Sequence, residues 1–312
     1  MSKPKVLQVG PLTERFQHNL AEHYDVTALW QQADPQAFLN EHGGQFELLA
    51  TSARFGCSAE QLAALPNLKV ISSFGVGYDS IAVDAARDRG IQISTTPDVL
   101  NDCVADLAMG LMIDTSRKLA ASERFLRAGG WLKGNFPLAR RVSGKRLGIV
   151  GLGRIGQAVV KRASGFDMDV RYHNRSELKD SPYGYEANLI DLAHWADFLV
   201  LTCVGGASTH HIVNAQVLAA LGPKGIVINV ARGSVIDEQA LVAALQDGTL
   251  GGAGLDVFEA EPQVPEALLS LDNVMLLPHV GSATEETRLQ MEELVLANLA
   301  AFVANGQVLT PL

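Results

Sequence analysis

The chain has 312 residues, 47% hydrophobic and 19% charged, with a formal net charge of −9. That length exceeds one ordinary core, so two domains are expected. The acidic balance argues against nucleic acid as a partner, because phosphates need a basic surface.

Short apolar runs alternate with helical patterns from end to end. Strands are predicted at residues 5–9, 25–29, 48–50, 69–73 and 91–94, separated by helical stretches near 13–23, 58–65 and 81–89. Such alternation with short links specifies an α/β fold with doubly wound parallel sheets. A longer helix is predicted from about 103 to 127, with Val104, Leu107, Ala108, Leu111 and Met112 on one face. Asn101 or Asp102 is its expected N-cap, and Gly129-Gly130 stops it. A helix this long at the junction of two αβ series must cover a large surface, and a dimer contact is favoured over an interdomain spacer. A polar loop over 131–145 leads to a second series, with strands at 146–150, 169–173, 198–201, 226–230, 252–256 and 274–277. An amphipathic helix is expected over 285–304, then Gly306 and an extended tail ending Leu309-Thr310-Pro311-Leu312.

No apolar run reaches the length of a membrane span, and the first residues lead into a strand rather than a signal peptide. The three cysteines, Cys57, Cys103 and Cys203, are widely spaced with no Cys-x-x-Cys. That fits reduced thiols in a cytoplasmic protein and offers no zinc site. The basic pairs Arg140-Arg141 and Lys145-Arg146 read as a solvated loop.

The segment Gly151-Leu152-Gly153-Arg154-Ile155-Gly156 lies between a buried-strand pattern, Leu147-Gly148-Ile149-Val150, and a helical one carrying Ile155, Ala158, Val159, Arg162 and Ala163. A glycine triplet alone is weak, and a ligand-free turn is its plain alternative; the strand before and the helix after make it a dinucleotide cradle. Gly151 permits the tight turn, Gly153 admits a pyrophosphate, and Gly156 lets the helix pack on the sheet. The diphosphate would lie on the helix's first N–H groups with Arg154 alongside. The next strand ends in Asn174-Arg175-Ser176, where NAD sites usually carry an acidic residue; Asp169 stands at its other end. An amide, a guanidinium and a hydroxyl suit a 2′-phosphate, so NADPH is expected. If Arg175 and Ser176 are merely surface residues, NADH remains usable. Cys203, after a Leu-Val-Leu-Thr strand, is expected as a small hydrophobe beside the nucleotide.

Three further strands run into loops that each carry one polar group: Asn229-Val230-Ala231-Arg232-Gly233, Leu255-Asp256-Val257-Phe258-Glu259-Ala260-Glu261-Pro262, and Leu277-Pro278-His279-Val280-Gly281-Ser282. Strand C-termini are where open α/β sheets place ligand-binding side chains. Reduction of a 2-keto acid needs a fixed carboxylate, a proton for the carbonyl oxygen and a dry nicotinamide face. Arg232 can pair with the carboxylate and polarise the ketone. His279, whose ordinary titration range is near neutrality, is the natural proton donor. Glu261, hydrogen-bonded to the other imidazole nitrogen, would favour the imidazolium; Glu259 competes with it for that role. Each residue also has a structural alternative, a loop histidine or an arginine capping a helix.

Together with Gly75-Val76-Gly77-Tyr78-Asp79 and Thr96-Pro97-Asp98-Val99-Leu100, these motifs resemble the D-isomer-specific 2-hydroxyacid dehydrogenase family over nearly the whole chain. Within it, the chain looks most like the glyoxylate/hydroxypyruvate and hydroxyphenylpyruvate reductase branch. The resemblance implies that Arg232 binds substrate, that His279 is the acid/base, and that Glu261, immediately before Pro262, is its partner acid. It implies that Asp256 meets the nicotinamide carboxamide, and that Cys203, Val204, Val230, Ala231 and Gly281 also line the cofactor. It places the N–H groups of Val76 and Gly77 on the substrate carboxylate, where the residues alone suggest a glycine turn with Asp79 capping the next helix.

The resemblance also implies a split domain. Residues 1–98 and 284–312 would form a flavodoxin-like substrate domain, and residues 99–283 an inserted Rossmann-type cofactor domain, with the active site in the cleft. The long helix and the loop after it resemble a dimerisation arm, so a homodimer is expected, with Phe136 or Leu138 lining the neighbouring subunit's pocket. Arg54, Phe55 and Tyr78 are candidates for shaping the substrate pocket.

The implied reaction is NADPH-dependent reduction of a 2-keto acid, such as glyoxylate, hydroxypyruvate or a bulkier pyruvate, to the D-2-hydroxy acid. An alternative is a phosphoglycerate-type or other NAD-linked D-2-hydroxyacid dehydrogenase, although many of the former carry a C-terminal regulatory domain. From another class, a dinucleotide-sensing corepressor would share the fold; the acidic balance and lack of polar tails count against it.

Overall fold

A computed structural model describes residues 3–312 of the chain. It divides into two compact units, one of residues up to Leu100 with Thr284–Leu312, the other of Asn101–Ala283.

The first unit opens β1 (Lys5–Gln8), α1 (Glu14–His23), β2 (Asp25–Ala28), α2 (Pro35–His42), β3 (Leu48–Ser52), α3 (Ala59–Ala63), β4 (Val70–Phe74), α4 (Val83–Asp88) and β5 (Gln92–Ser94). Its first three helices start where side-chain oxygens can take orphan N–H groups: Thr13 caps α1, Asp34 caps α2 and Ser58 makes a capping box with Gln61 on α3. The five strands pair in parallel in the order β2-β1-β3-β4-β5. This is the 2-1-3-4-5 order of flavodoxin-like sheets. Every residue of β3 and β4 is buried, as expected where helices cover both faces.

The second unit opens with α5 (Asn101–Arg117) and α6 (Leu119–Arg127). It continues as β6 (Arg146–Val150), α7 (Arg154–Ala163), β7 (Asp169–His173), β8 (Gly184–Tyr185), α8 (Leu189–Trp195), β9 (Phe198–Leu201), α9 (Ala215–Leu221), β10 (Ile226–Asn229), α10 (Glu238–Gln246), β11 (Gly252–Leu255), α11 (Glu266–Leu269) and β12 (Val274–Leu276). Its strands form one parallel sheet in the order β12-β11-β10-β9-β6-β7-β8. Counted within the unit, six strands run 3-2-1-4-5-6, the Rossmann order, with a seventh at the edge. Alternate residues of β9 feed opposite cores. Leu199 and Leu201 pack with α8, α9 and α10 residues, whereas Phe198 and Val200 pack with α5 and α7 residues. The chain returns to the first unit as α12 (Glu285–Asn305), against β4, where the Ser72 hydroxyl donates to the Val295 carbonyl at 3.2 Å.

Four expectations change. The helix over 103–127 is two helices, because Lys118 adopts φ 53° and a left-handed residue cannot continue the i→i−4 ladder. The second helix restarts with the Asp114 carboxylate accepting the Ala120 N–H at 3.0 Å. Asn101 and Asp102 lie inside the first turn of α5 rather than before it. Asp79 does not cap α4, which begins at Val83 with Ala82 at its N-cap. The inward face of α12 is polar as well as apolar, since Glu292 and Asn298 are buried beside Met291, Val295 and Leu299. Glu292 takes the Arg15 guanidinium at 2.8 Å, and the Asn298 side-chain carbonyl accepts the Leu309 and Thr310 N–H groups at 2.9 and 3.0 Å. Buried polar groups are tolerable when satisfied in this way. Among the described residues no helix is long and apolar enough to cross a membrane.

Candidate active site

The nucleotide loop is built from the end of β6 and the start of α7. Gly151 has φ 96°, and a Cβ there would stand 2.6 Å from the Cys203 backbone; at Gly156 it would stand 2.5 Å from the Gly151 carbonyl. A Cβ on Gly153 would meet nothing within 4 Å. Two glycines therefore permit the turn and the close helix, while the third faces open space. The Leu152 N–H donates to the Asn174 side-chain carbonyl at 2.8 Å, and the Thr202 hydroxyl donates to the Gly151 carbonyl at 2.8 Å. So held, the loop presents the start of a ten-residue helix with its unpaired N–H dipoles. This fits a pyrophosphate.

Asn174 thus acts on the loop itself. Arg175 and Ser176, one step further from β7, are exposed, and among the described residues neither side chain has a hydrogen-bond or ion-pair partner. Arg154 is also exposed, and Ile155 is half-buried. Beyond β9, Cys203 is largely enclosed, and burial pushes its thiol up to about 11; Val204 is exposed.

Arg232 follows β10. Asn229, buried at the end of that strand, donates to the Arg232 carbonyl at 2.8 Å and accepts the Ala231 N–H at 3.0 Å, which folds Val230, Ala231 and Arg232 into a fixed bend. A Cβ on Gly233 would come 1.9 Å from the Phe258 carbonyl carbon, so only glycine lets this bend lie against the loop after β11. Neither role was assigned from sequence. The signal available was an amide ending a buried strand just before Arg-Gly.

Asp256 follows β11 and is 2% exposed. Its carboxylate accepts the Val280 N–H at 2.7 Å and the Gly281 N–H at 2.8 Å, while its carbonyl accepts the His279 N–H at 2.8 Å. A Cβ on Gly281 would crowd that carboxylate at 2.9 Å. These bonds hold His279 at φ 55°, a left-handed backbone that persists only where the surroundings over-determine it. Burial raises the Asp256 carboxyl despite the two N–H donors and the nearby His279.

His279 Nδ1 lies 2.7 Å from Glu261 Oε2, and Glu261 Oε1 accepts the Phe258 N–H at 3.1 Å. Burial acts to raise the Glu261 carboxyl. The His279 hydrogen bond and charge, the Phe258 N–H and the Arg232 charge outweigh it and hold the carboxyl below its ordinary range. Glu259, the competing acid, instead meets His211 Nε2 at 2.8 Å. One imidazole nitrogen of His279 is thus engaged, leaving Nε2 as the nitrogen for a reacting group.

Val76 and Gly77 belong to the other unit, in the loop after β4, where Gly75 has φ 122° and its N–H donates to the Thr96 hydroxyl at 3.0 Å. In the same unit Arg54 lies over the exposed Phe55 ring at 5.7 Å, and Tyr78 is half-buried. In the arm loop, Phe136 packs edge-on against Phe125 of its own chain at 5.5 Å, while Leu138 is fully exposed.

Residues 109–281 match the family described as D-isomer specific 2-hydroxyacid dehydrogenase, NAD binding domain. The chain is 43% identical to glyoxylate/hydroxypyruvate reductase A of Arabidopsis thaliana over 306 residues, covering 98% of each chain. It is likewise 43% identical to hydroxyphenylpyruvate reductase of Plectranthus scutellarioides over 306 residues, again 98% of each. Among solved structures, the NADPH-dependent glyoxylate/hydroxypyruvate reductase of Sinorhizobium meliloti, in complex with NADP and malonate, superposes with a TM-score of 0.94. It is 44% identical, and the match covers 100% of this chain and 97% of that one.

Proposed function

The chain belongs to the D-isomer-specific 2-hydroxyacid dehydrogenase family, and from that premise we propose that it uses NADPH to reduce a small 2-keto acid of the glyoxylate and hydroxypyruvate class to the D-2-hydroxy acid. As an NAD(P)-dependent dehydrogenase it works with a nicotinamide cofactor, whose reduced ring supplies the hydride when bound. The observation that carries the reading is the His279–Glu261 pair at 2.7 Å.

Arg232 takes the substrate carboxylate and polarises the adjacent ketone, fixing the carbonyl carbon for attack. His279 Nε2 donates a proton to the carbonyl oxygen as negative charge develops there. Glu261, already ionised, orients the ring through Nδ1 and favours the imidazolium. Asp256 acts through the backbone, holding the His279 loop by three hydrogen bonds.

NADPH is favoured over NADH because Arg175 and Ser176 are exposed and uncommitted beside the β7 end, where a 2′-phosphate would need a bidentate donor. The S. meliloti relative is itself NADPH-dependent. Glyoxylate and hydroxypyruvate are favoured because they name the activities of close relatives.

Self-association is part of the same reading. No residue of α6 is buried, and Leu119, Leu126, Trp131, Leu132 and Leu138 are all exposed there and in the following loop. Such an apolar stretch suits a second copy of the chain. Sedimentation of wild type as a dimer and of Trp131→Glu as a monomer supports this; a wild-type monomer overturns it.

Initial rates with glyoxylate, hydroxypyruvate and 4-hydroxyphenylpyruvate, each with NADPH and NADH, test the reaction. Strong NADPH preference with one favoured acid supports the reading. Equal use of NADH removes the 2′-phosphate argument, and no turnover with any pair removes the reductase assignment.

A further inference from the structure

Two histidines and a carboxylate meet outside the catalytic pair. His210 and His211 follow a single 3-10 turn at Ala207–Thr209, downstream of β9, and Glu259 lies in the loop after β11. The two imidazoles stack at 3.9 Å with their planes 32° apart. Glu259 Oε1 lies 2.8 Å from His211 Nε2 and 3.9 Å from His210 Nε2, and the three ligand atoms all fall within 4.8 Å of one another.

We infer that His210, His211 and Glu259 form a binding site for one divalent transition-metal ion of the zinc type. Zinc bonds imidazole nitrogen and carboxylate oxygen at about 2.0–2.2 Å, so tetrahedral ligands stand about 3.4 Å apart. The observed separations of 2.8 and 3.9 Å bracket that value. For the three atoms to share one centre, the His211–Glu259 hydrogen-bond contact at 2.8 Å would lengthen and the His210 nitrogen, at 3.9 Å, would close in. Two imidazoles select zinc, nickel or copper over calcium and magnesium, which take oxygen ligands. With three protein ligands, water completes the shell.

The backbones that present these groups are already fixed. The His211 N–H donates to the Ser234 carbonyl at 2.8 Å, and the Val213 N–H donates to the Val235 carbonyl at 3.1 Å. The Glu259 N–H donates to Glu238 Oε1 at 3.1 Å. Glu238 thereby supports a ligand-bearing loop from behind and adds negative charge beside the centre. The side chains of His210, His211 and Glu259 are 55%, 33% and 34% exposed, so an ion enters directly from solvent. Bound metal would clip the segment carrying Cys203 and Val204 to the loop carrying Glu261. Cysteine spacing gave no hint of this site, because its ligands are two adjacent histidines and a glutamate 48 residues beyond His211.

The test uses the full-length, untagged chain stripped with chelator. Zn2+ is titrated calorimetrically, Co2+ serves as a visible-absorbance probe, and melting is followed with and without Zn2+. One equivalent per chain is expected, with a visible Co2+ band and a higher Tm. His210→Ala and Glu259→Gln should each weaken Zn2+ binding by at least about tenfold, whereas His18→Ala, on the exposed face of α1, should bind as wild type. Absence of saturable binding to wild type overturns the inference, as does unchanged affinity in both ligand variants. Because the readout is metal binding, either failure leaves the dehydrogenase reading untouched.

Discussion

Nδ1 of His279 and Oε2 of Glu261 stand 2.7 Å apart, and each arrives there by a separate local device. His279 is fixed from behind by Asp256, which binds the N–H groups of His279, Val280 and Gly281. Glu261 is fixed by its second oxygen on the Phe258 N–H. The pair is therefore held before any ligand arrives, the condition under which a proton donor contributes most.

His279→Gln should lower kcat for keto-acid reduction by about 10²–10⁴-fold, the usual worth of general acid catalysis. NADPH affinity, read by fluorescence quenching, should change little. Near-native turnover in the variant would falsify the assignment.

Glu261→Gln probes the pair through stability. The folded-state carboxyl is held below its ordinary range, so its ionisation stabilises the fold above the unfolded value, about 4.3 for glutamate, and that contribution disappears as pH falls through the lowered folded value. The melting difference between wild type and variant should therefore narrow as pH drops from about 7 to about 3. A difference independent of pH would show that Glu261 is not ionised in the folded protein.

Arg175→Ala should raise the KM for NADPH by about 10–100-fold, the worth of a charge-assisted hydrogen bond, and leave the KM for NADH nearly unchanged. Equal effects on both cofactors would remove Arg175 from the 2′-phosphate site.

Gly233→Ala should be strongly destabilising. The new Cβ would stand 1.9 Å from the Phe258 carbonyl carbon, and the nearest atoms it would meet are all backbone rather than a side chain that could swing aside. Overpacking of this kind costs about 1–3 kcal/mol or more, visible as a lower Tm. Wild-type stability would mean that the Arg232 bend and the Glu261 loop are not in contact.

Thiol labelling should discriminate the cysteines. Burial pushes Cys57 up to about 12 and Cys203 up to about 11, so neither is thiolate near neutral pH. Cys103, half-buried, should label first with a disulfide reagent at about pH 8. Fast labelling of Cys203 would contradict its enclosure beside Gly151.

The sequence by itself determined which elements exist and which residues stand at strand ends. Parallel strands buried on both faces need continuous apolar runs, and these are visible as Phe198-Leu199-Val200-Leu201 and Ile226-Val227-Ile228. It likewise marked Arg232 and His279, and narrowed the acid to Glu259 or Glu261, because polar residues just past such runs are few. What it left undecided was every contact made across the sheet. Glu259 and Glu261 are equivalent in one dimension; only the turn between them sends one to His211 and the other to His279. Lys118 carries no helix-breaking signature, yet its left-handed backbone divides the long helix, with Asp114 supplying the cap where it restarts. Asn174, expected at the 2′-phosphate, also braces the glycine loop through its side-chain carbonyl, a contact with no signature in the sequence. Periodicity reports burial, a property each residue shares with its near neighbours in sequence. Partnership depends on loops that bring together residues tens of positions apart, and that information exists only once the chain has folded.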